Sequence, residues 1–116
     1  MGYRSDVIFA CVADAVPTLL AEAGKSAALQ ELLFADADEQ LLGDYDNEGS
    51  YLFRWSGIKW YDSYPAIQDF NQMVEKIVEK LDEEAYRWVC IGEEMDDNQA
   101  SGFGFEHIYI SREITY

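Results

Sequence analysis

The sequence predicts an α+β fold, a mostly antiparallel β-sheet carrying two helices on one face, and three observations predict it. Two segments, Val7 to Val12 and Tyr86 to Ile91, are apolar on both alternating sets, as in strands covered on both faces. Between them, Ala66, Ile67, Phe70, Met73, Val74, Ile77, Val78 and Leu81 recur at helical spacing. The remaining aromatic stretches are short, alternating and bounded by turn residues, the mark of hairpins.

Taken in order, Arg4 to Val12 reads as a central strand. Asp14 offers an N-cap and Pro17 fits only a first turn, so Val16, Leu19, Leu20, Ala23, Leu29, Leu32 and Leu33 predict a first helix over 15–34, with Gly24 as a break point. An acidic, turn-rich segment over 36–49 leaves room for a short strand at 40–45. The Asn47-Glu-Gly-Ser turn then leads into the strand Tyr51-Leu-Phe-Arg-Trp and a shorter extended piece, Ile58-Lys-Trp-Tyr. Asp62 or Ser63 would cap the second helix, and Pro65 pre-sets its first turn. Trp60 and Tyr61 would pack beneath that helix N-terminus. Tyr86 to Ile91 is another strand, 92–102 a polar loop, and 103–115 a last strand. The order β-α-β-β-α-β-β is a ferredoxin-like plan with an added C-terminal strand. Such a plan leaves the second sheet face partly uncovered. Tyr3, Trp55, Trp88 and Tyr109 could mark a dimer or partner surface there, unless terminal strands or loops cover it.

At 116 residues, 49% hydrophobic and 15% aromatic, the chain suits one globular domain over 1–116. Met1-Gly-Tyr-Arg-Ser-Asp carries no charged leader before an apolar core, and no apolar run approaches the roughly 20 residues that cross a bilayer. The expectation is a cytoplasmic protein without membrane contact. Cys11 and Cys90 lie far apart in apolar segments, as buried thiols of a reducing compartment do. Twenty-three acidic residues against 8 basic ones give a net charge of -15. That balance argues against direct binding of nucleic acid or anionic lipid, both of which reward lysine and arginine. A basic partner, or solubility alone, remains.

Catalytic chemistry finds little support. His107 stands between Glu106 and Ile108 with no serine or cysteine near it in sequence, although an enzyme using it with carboxylates stays an alternative. The cysteines make no C-x-x-C pair, and a single histidine cannot complete a zinc site with them at usual spacing. Asp44-Tyr-Asp46-Asn-Glu48-Gly49 copies the start of a calcium loop, but Trp55 stands where its bidentate glutamate belongs. Gly102-Phe-Gly-Phe lacks the third glycine, the lysine and the following helix of a phosphate loop. No cofactor or metal is expected.

The stretches Gly2-Tyr-Arg-Ser-Asp-Val7, Gly57-Ile-Lys-Trp-Tyr-Asp-Ser-Tyr-Pro65, Ile91-Gly-Glu-Glu with Asp96-Asp97, and Ile110-Ser-Arg-Glu-Ile114 together resemble small acidic proteins of bacteriophages and prophages. Those proteins usually read Gly-Glu-Asp where this chain has Gly92-Glu93-Glu94. The resemblance implies no chemistry. It points toward inhibitors of host defence such as anti-CRISPR proteins, which commonly occupy a basic nucleic-acid-binding groove. The partner implied is a basic protein or nucleoprotein surface of the host, met in its cytoplasm, and a homodimer stays open. Candidate contacts are Asp36, Asp38, Glu39, Asp44, Asp46 and Glu48 in the acidic segment, with Glu93, Glu94, Asp96 and Asp97 in the later loop. Asp69, Glu75, Glu79 and Asp82 join them along the side of the second helix opposite its apolar stripe. Solvated faces serving solubility are the plain alternative. A phage assembly component that forms a homo-oligomer is another.

Overall fold

The computed structural model describes residues 4–43, 48–92, 98–105, 108–110 and 114–115, the last two stretches partly or wholly by backbone alone. Five strands, β1 (Ser5–Cys11), β2 (Glu39–Leu42), β3 (Tyr51–Ile58), β4 (Tyr86–Gly92) and β5 (Asn98–Ser101), form one sheet in the order β2-β3-β1-β4-β5. Every described pairing is antiparallel. β1 is central, as its doubly apolar pattern requires, since both of its faces must be covered.

One face of the sheet meets α1 (Val16–Gly24), α2 (Ala27–Phe34) and α3 (Pro65–Lys80). Val7, Phe9, Phe53, Trp55 and Cys90 of the strands share a core there with Leu19, Leu29, Leu33, Ile67, Phe70, Met73 and Ile77 of the helices. The predicted first helix is two helices. The chain breaks after Gly24, and Ser26 takes an extended conformation in which its Oγ accepts the Leu29 N–H at 3.1 Å, restarting the helix. Asp14 does not cap α1. It lies in a 3-10 turn, Ala13–Ala15, that leads into it.

α3 starts at Pro65 as expected, but its N-cap is Tyr64, with no side-chain cap, in place of Asp62 or Ser63. Phe70, Met73 and Ile77 are buried, Val74 is half-buried and Leu81, just past the helix, is exposed. The extended piece at 58–61 dissolves. Ile58 closes β3, and Tyr61 to Tyr64 form a turn in which the Tyr64 N–H reaches the Tyr61 carbonyl at 3.0 Å.

The C-terminal part departs most from expectation. The supposed polar loop 92–102 contains β5, and the supposed strand 103–115 is a crossing segment followed by a separate antiparallel pair, β6 (Tyr109–Ile110) and β7 (Ile114–Thr115). Gly102 and Gly104 make the crossing. The Phe103 N–H donates to the Glu83 carbonyl at 2.7 Å and the Gly104 N–H to the Tyr86 carbonyl at 3.0 Å. A Cβ at Gly102 would collide with the Tyr86 carbonyl and one at Gly104 with the Glu84 carbonyl, and Gly102 sits at φ +83°. Past the crossing, Phe105 and Ile108 cover Ile8, Ala10, Leu52 and Val89 on the helix-free face. Arg87 fastens this cover, donating to the carbonyls of Gly102 at 2.8 Å and Ile108 at 3.1 Å.

Among the described residues the second face is therefore not an open aromatic surface. Trp55 and Trp88 belong to the helix side, because Phe9, which faces the helices, pairs with Trp88, and Trp55 is wholly buried. Tyr3 and the Tyr109 side chain lie outside the described residues.

Candidate functional site

Two features stand at opposite ends of the sheet. At the end where β1 begins, β3 carries a bulge. Ser5 pairs with Ile58 and Val7 with Trp55, so β3 holds one residue more than β1 over that span. Gly57 occupies the bulge at φ +63°, a conformation that favours glycine. The Asp6 carboxylate accepts the Gly57 N–H at 2.8 Å, the Asp38 carboxylate accepts the Ser56 N–H at 2.6 Å, and Arg4 donates to the Gly57 carbonyl at 2.7 Å. The Arg4-Ser-Asp6 and Gly57-Ile-Lys-Trp stretches, far apart in sequence, thus lock onto each other.

Beside this bulge lies a cleft of about 520 Å³ between α3 and the β4–β5 side of the sheet. Trp60, Tyr61, Asp62, Asn71, Trp88 and Gln99 line it, and Ser5 and Cys90 contribute as well. The volume falls within the roughly 300–1,000 Å³ of small-ligand sites. Trp60 is held edge-on to Phe70, with ring centroids 5.0 Å apart, and lies 5.2 Å from Trp55. Its ring and that of Trp88 are 6.3 Å apart and inclined by 37°. The sequence expectation that Trp60 packs beneath the second helix holds, and the same ring also walls the cleft. The Trp88 indole Nε1 is buried and finds no acceptor among the described residues. An unpaired buried donor costs about 1–3 kcal/mol.

At the other end, α3 runs into Asp82 and the 3-10 turn Glu83–Ala85, close to the turn carrying Asp14. Asp14, Lys80, Leu81, Asp82 and Glu84 line a shallower groove of about 330 Å³ there. Glu48 joins this end, since Gly49 abuts Ala13. Asp14, Glu48, Asp82, Glu83 and Glu84 are all exposed.

The acidic residues singled out from the sequence separate into three groups. Asp38 holds the bulge, Asp69 accepts a hydrogen bond from Ser26 Oγ at 2.6 Å between α2 and α3, and Asp82 accepts the Glu84 N–H at 2.9 Å. These three are engaged in the fold, and Asp69 is half-buried instead of lying on the solvent side of its helix. Asp36, Glu48, Glu75 and Glu79 are exposed, with Glu79 at 4.0 Å from Lys76, while Glu39 is half-buried on β2 opposite Arg54. Asp44, Asp46, Glu93, Glu94, Asp96 and Asp97, like His107, lie outside the described residues. Among the described residues, no three Asp, Glu, His or Cys side chains come together as a metal site would need, and no helix is long and apolar enough to cross a membrane.

Cys11 is buried, and desolvation pushes its thiol pKa up to about 12 from 9.0, partly offset by a backbone hydrogen bond with Tyr51. Such a thiol is inert at neutral pH. The cleft was the part that sequence reasoning missed. Its signal was the mixed aromatic and polar run Trp60-Tyr-Asp62 between a strand and a proline-started helix. Its remaining walls, Asn71, Trp88 and Gln99, are joined to that run only by the fold. No protein-family model, curated protein or solved structure matches the chain.

Proposed function

We propose that the chain is a non-enzymatic, phage-type protein that binds a basic macromolecular surface of a host cell, acting as an inhibitor of host defence. The observation that carries this reading is the unbalanced charge, 23 acids against 8 bases. Pairs such as Lys25 with Glu22 and Lys76 with Glu79 are local, and 8 basic residues cannot neutralise 23 acidic ones. The bases are also partly committed elsewhere, with Arg4 bound to the bulge and Arg87 to the C-terminal cover. Self-repulsion on this scale costs stability, which a partner of opposite charge would offset. A charge of -15 matches the phosphates of roughly seven to eight base pairs of duplex, a suitable length to imitate in a basic groove. The resemblance of four sequence stretches to phage proteins supports the inhibitory role.

Affinity capture from host lysate at low and high salt tests the reading. The expected result is one large basic nucleoprotein or nuclease, retained at low salt and released steeply as salt rises. Capture unaffected by salt would sink it. Of the four aromatics on which the homo-oligomer alternative rested, Trp55 and Trp88 face the helices, while Tyr3 and the Tyr109 side chain lie outside the described residues.

A further inference from the structure

We propose that the cleft beside the β3 bulge receives an arginine side chain of the partner. This rests on the reading that the partner is basic, and it adds a point of recognition that net charge alone does not supply. Trp60, Tyr61 and Trp88 offer π-systems, Asp62 a carboxylate, and Asn71 and Gln99 amide oxygens, while no lysine or arginine stands among the described lining residues. A phosphate or carboxylate would find no counter-charge there. A guanidinium suits each of these groups. It is planar and weakly hydrated, so it stacks on aromatic rings, and its five N–H donors need several acceptors around one plane. A lysine ammonium is a compact, strongly hydrated charge that uses such walls less well.

The walls are also held in place before any partner arrives. Trp60 is braced by Trp55 and Phe70, and Ser5 is set by the strand pairing next to the bulge that Arg4 and Asp6 secure. A preformed cavity avoids the ordering cost that weakens binding by flexible acidic surfaces.

Three tryptophan indole N–H signals provide the readout. Trp55 serves as internal control, because its Nε1 donates to the Leu32 carbonyl at 2.8 Å inside the core. The probe is acetyl-Gly-Arg-Gly-amide at millimolar concentration, beside the same peptide with neutral citrulline in place of arginine. The arginine peptide should shift the Trp60 and Trp88 signals and leave Trp55 unmoved, and the citrulline peptide should shift none. Asp62→Asn should weaken the arginine peptide by about two- to fivefold, the range of an exposed ion pair. Asp62 is exposed and its backbone carbonyl, not its side chain, accepts from Gln68, so this variant should fold. An oligoarginine titrated against salt separates the two claims. If it binds in a salt-sensitive manner while the single-arginine peptide leaves Trp60 and Trp88 unmoved, the cleft proposal falls and the basic-partner reading stands. Equal shifts from the citrulline peptide would also overturn the proposal. If oligoarginine fails to bind at low salt, the basic-partner reading falls with it.

Discussion

Trp55 has no exposed surface, and its indole ties β3 to the last turn of α2 by donating to the Leu32 carbonyl, one of the helix-end acceptors that has no partner within the helix. Trp55→Phe keeps the ring stacked toward Phe53 but strands that carbonyl. The expected cost is about 1–3 kcal/mol, seen as a lower urea midpoint with an unchanged slope. Cys11 gives a pH dependence of definite sign. Its folded pKa is raised, so between pH 9 and about 12 the unfolded chain loses a thiol proton that the folded chain keeps. Stability from this group is complete below pH 9 and falls as pH rises, by at most about 1.4 kcal/mol per unit. Cys11→Ala should lower stability at pH 7 but flatten that alkaline slope, which denaturation at several pH values would reveal. The burial of Cys11 was legible from its doubly apolar strand. The partner of Trp55 was not, because it sits on an element remote in sequence.

At the scale of elements, hydrophobic period was a sound guide wherever an element had one face to bury. α3 appeared with its start at Pro65 because the i, i+3, i+4 repeat over 66–77 allows one burial solution. Phe70 is its anchor, 5.1 Å from Phe9 and 6.2 Å from Trp55 between ring centroids. Phe70→Ala should cost about 3–5 kcal/mol, and an unchanged unfolding midpoint would contradict the core described here. Because Trp60 leans on the same ring, the variant should also move the Trp60 indole signal. Sequence failed where glycines redirect the chain. Gly102-Phe-Gly-Phe reads as a strand start by its aromatics, yet both glycines lie against β4 backbone and carry the chain across the sheet end. Alternation also could not say which face Trp55 and Trp88 occupy, since that depends on strand register and not on period.

The whole molecule separates charges that the sequence presents as one acidic character. Tyr86, just after Glu83 and Glu84, pairs with Cys11 at one end of β1, whereas Gly92 pairs with Ser5 at the other. Gly92 and Asn98 flank the acidic stretch 93–97, so those flanks and the Asp14, Glu48, Glu83 and Glu84 cluster are divided by the length of β1, roughly 20 Å at about 3.3 Å per residue. That exceeds the Debye length of about 8 Å at physiological salt, so one end cannot stand in for the other. Two variants should therefore differ: one with Asp14→Asn, Glu48→Gln, Glu83→Gln and Glu84→Gln, the other with Glu93→Gln, Glu94→Gln, Asp96→Asn and Asp97→Asn. Each removes four charges from -15, leaving -11. If net charge alone governs association, the two lose equally. With the arginine-receiving cleft at the Ser5 and Gly92 end, the second variant should slow association with the captured partner by about tenfold or more while the first stays near the native rate. The first variant should unfold no earlier than the native chain, because Asp14, Glu48, Glu83 and Glu84 are exposed and their neutralisation relieves self-repulsion. Stopped-flow association at two salt concentrations distinguishes these results. Equal, small losses would make the acidic surface a solubility device, and a larger loss in the first variant would move the contact to the Asp14 and Glu84 end.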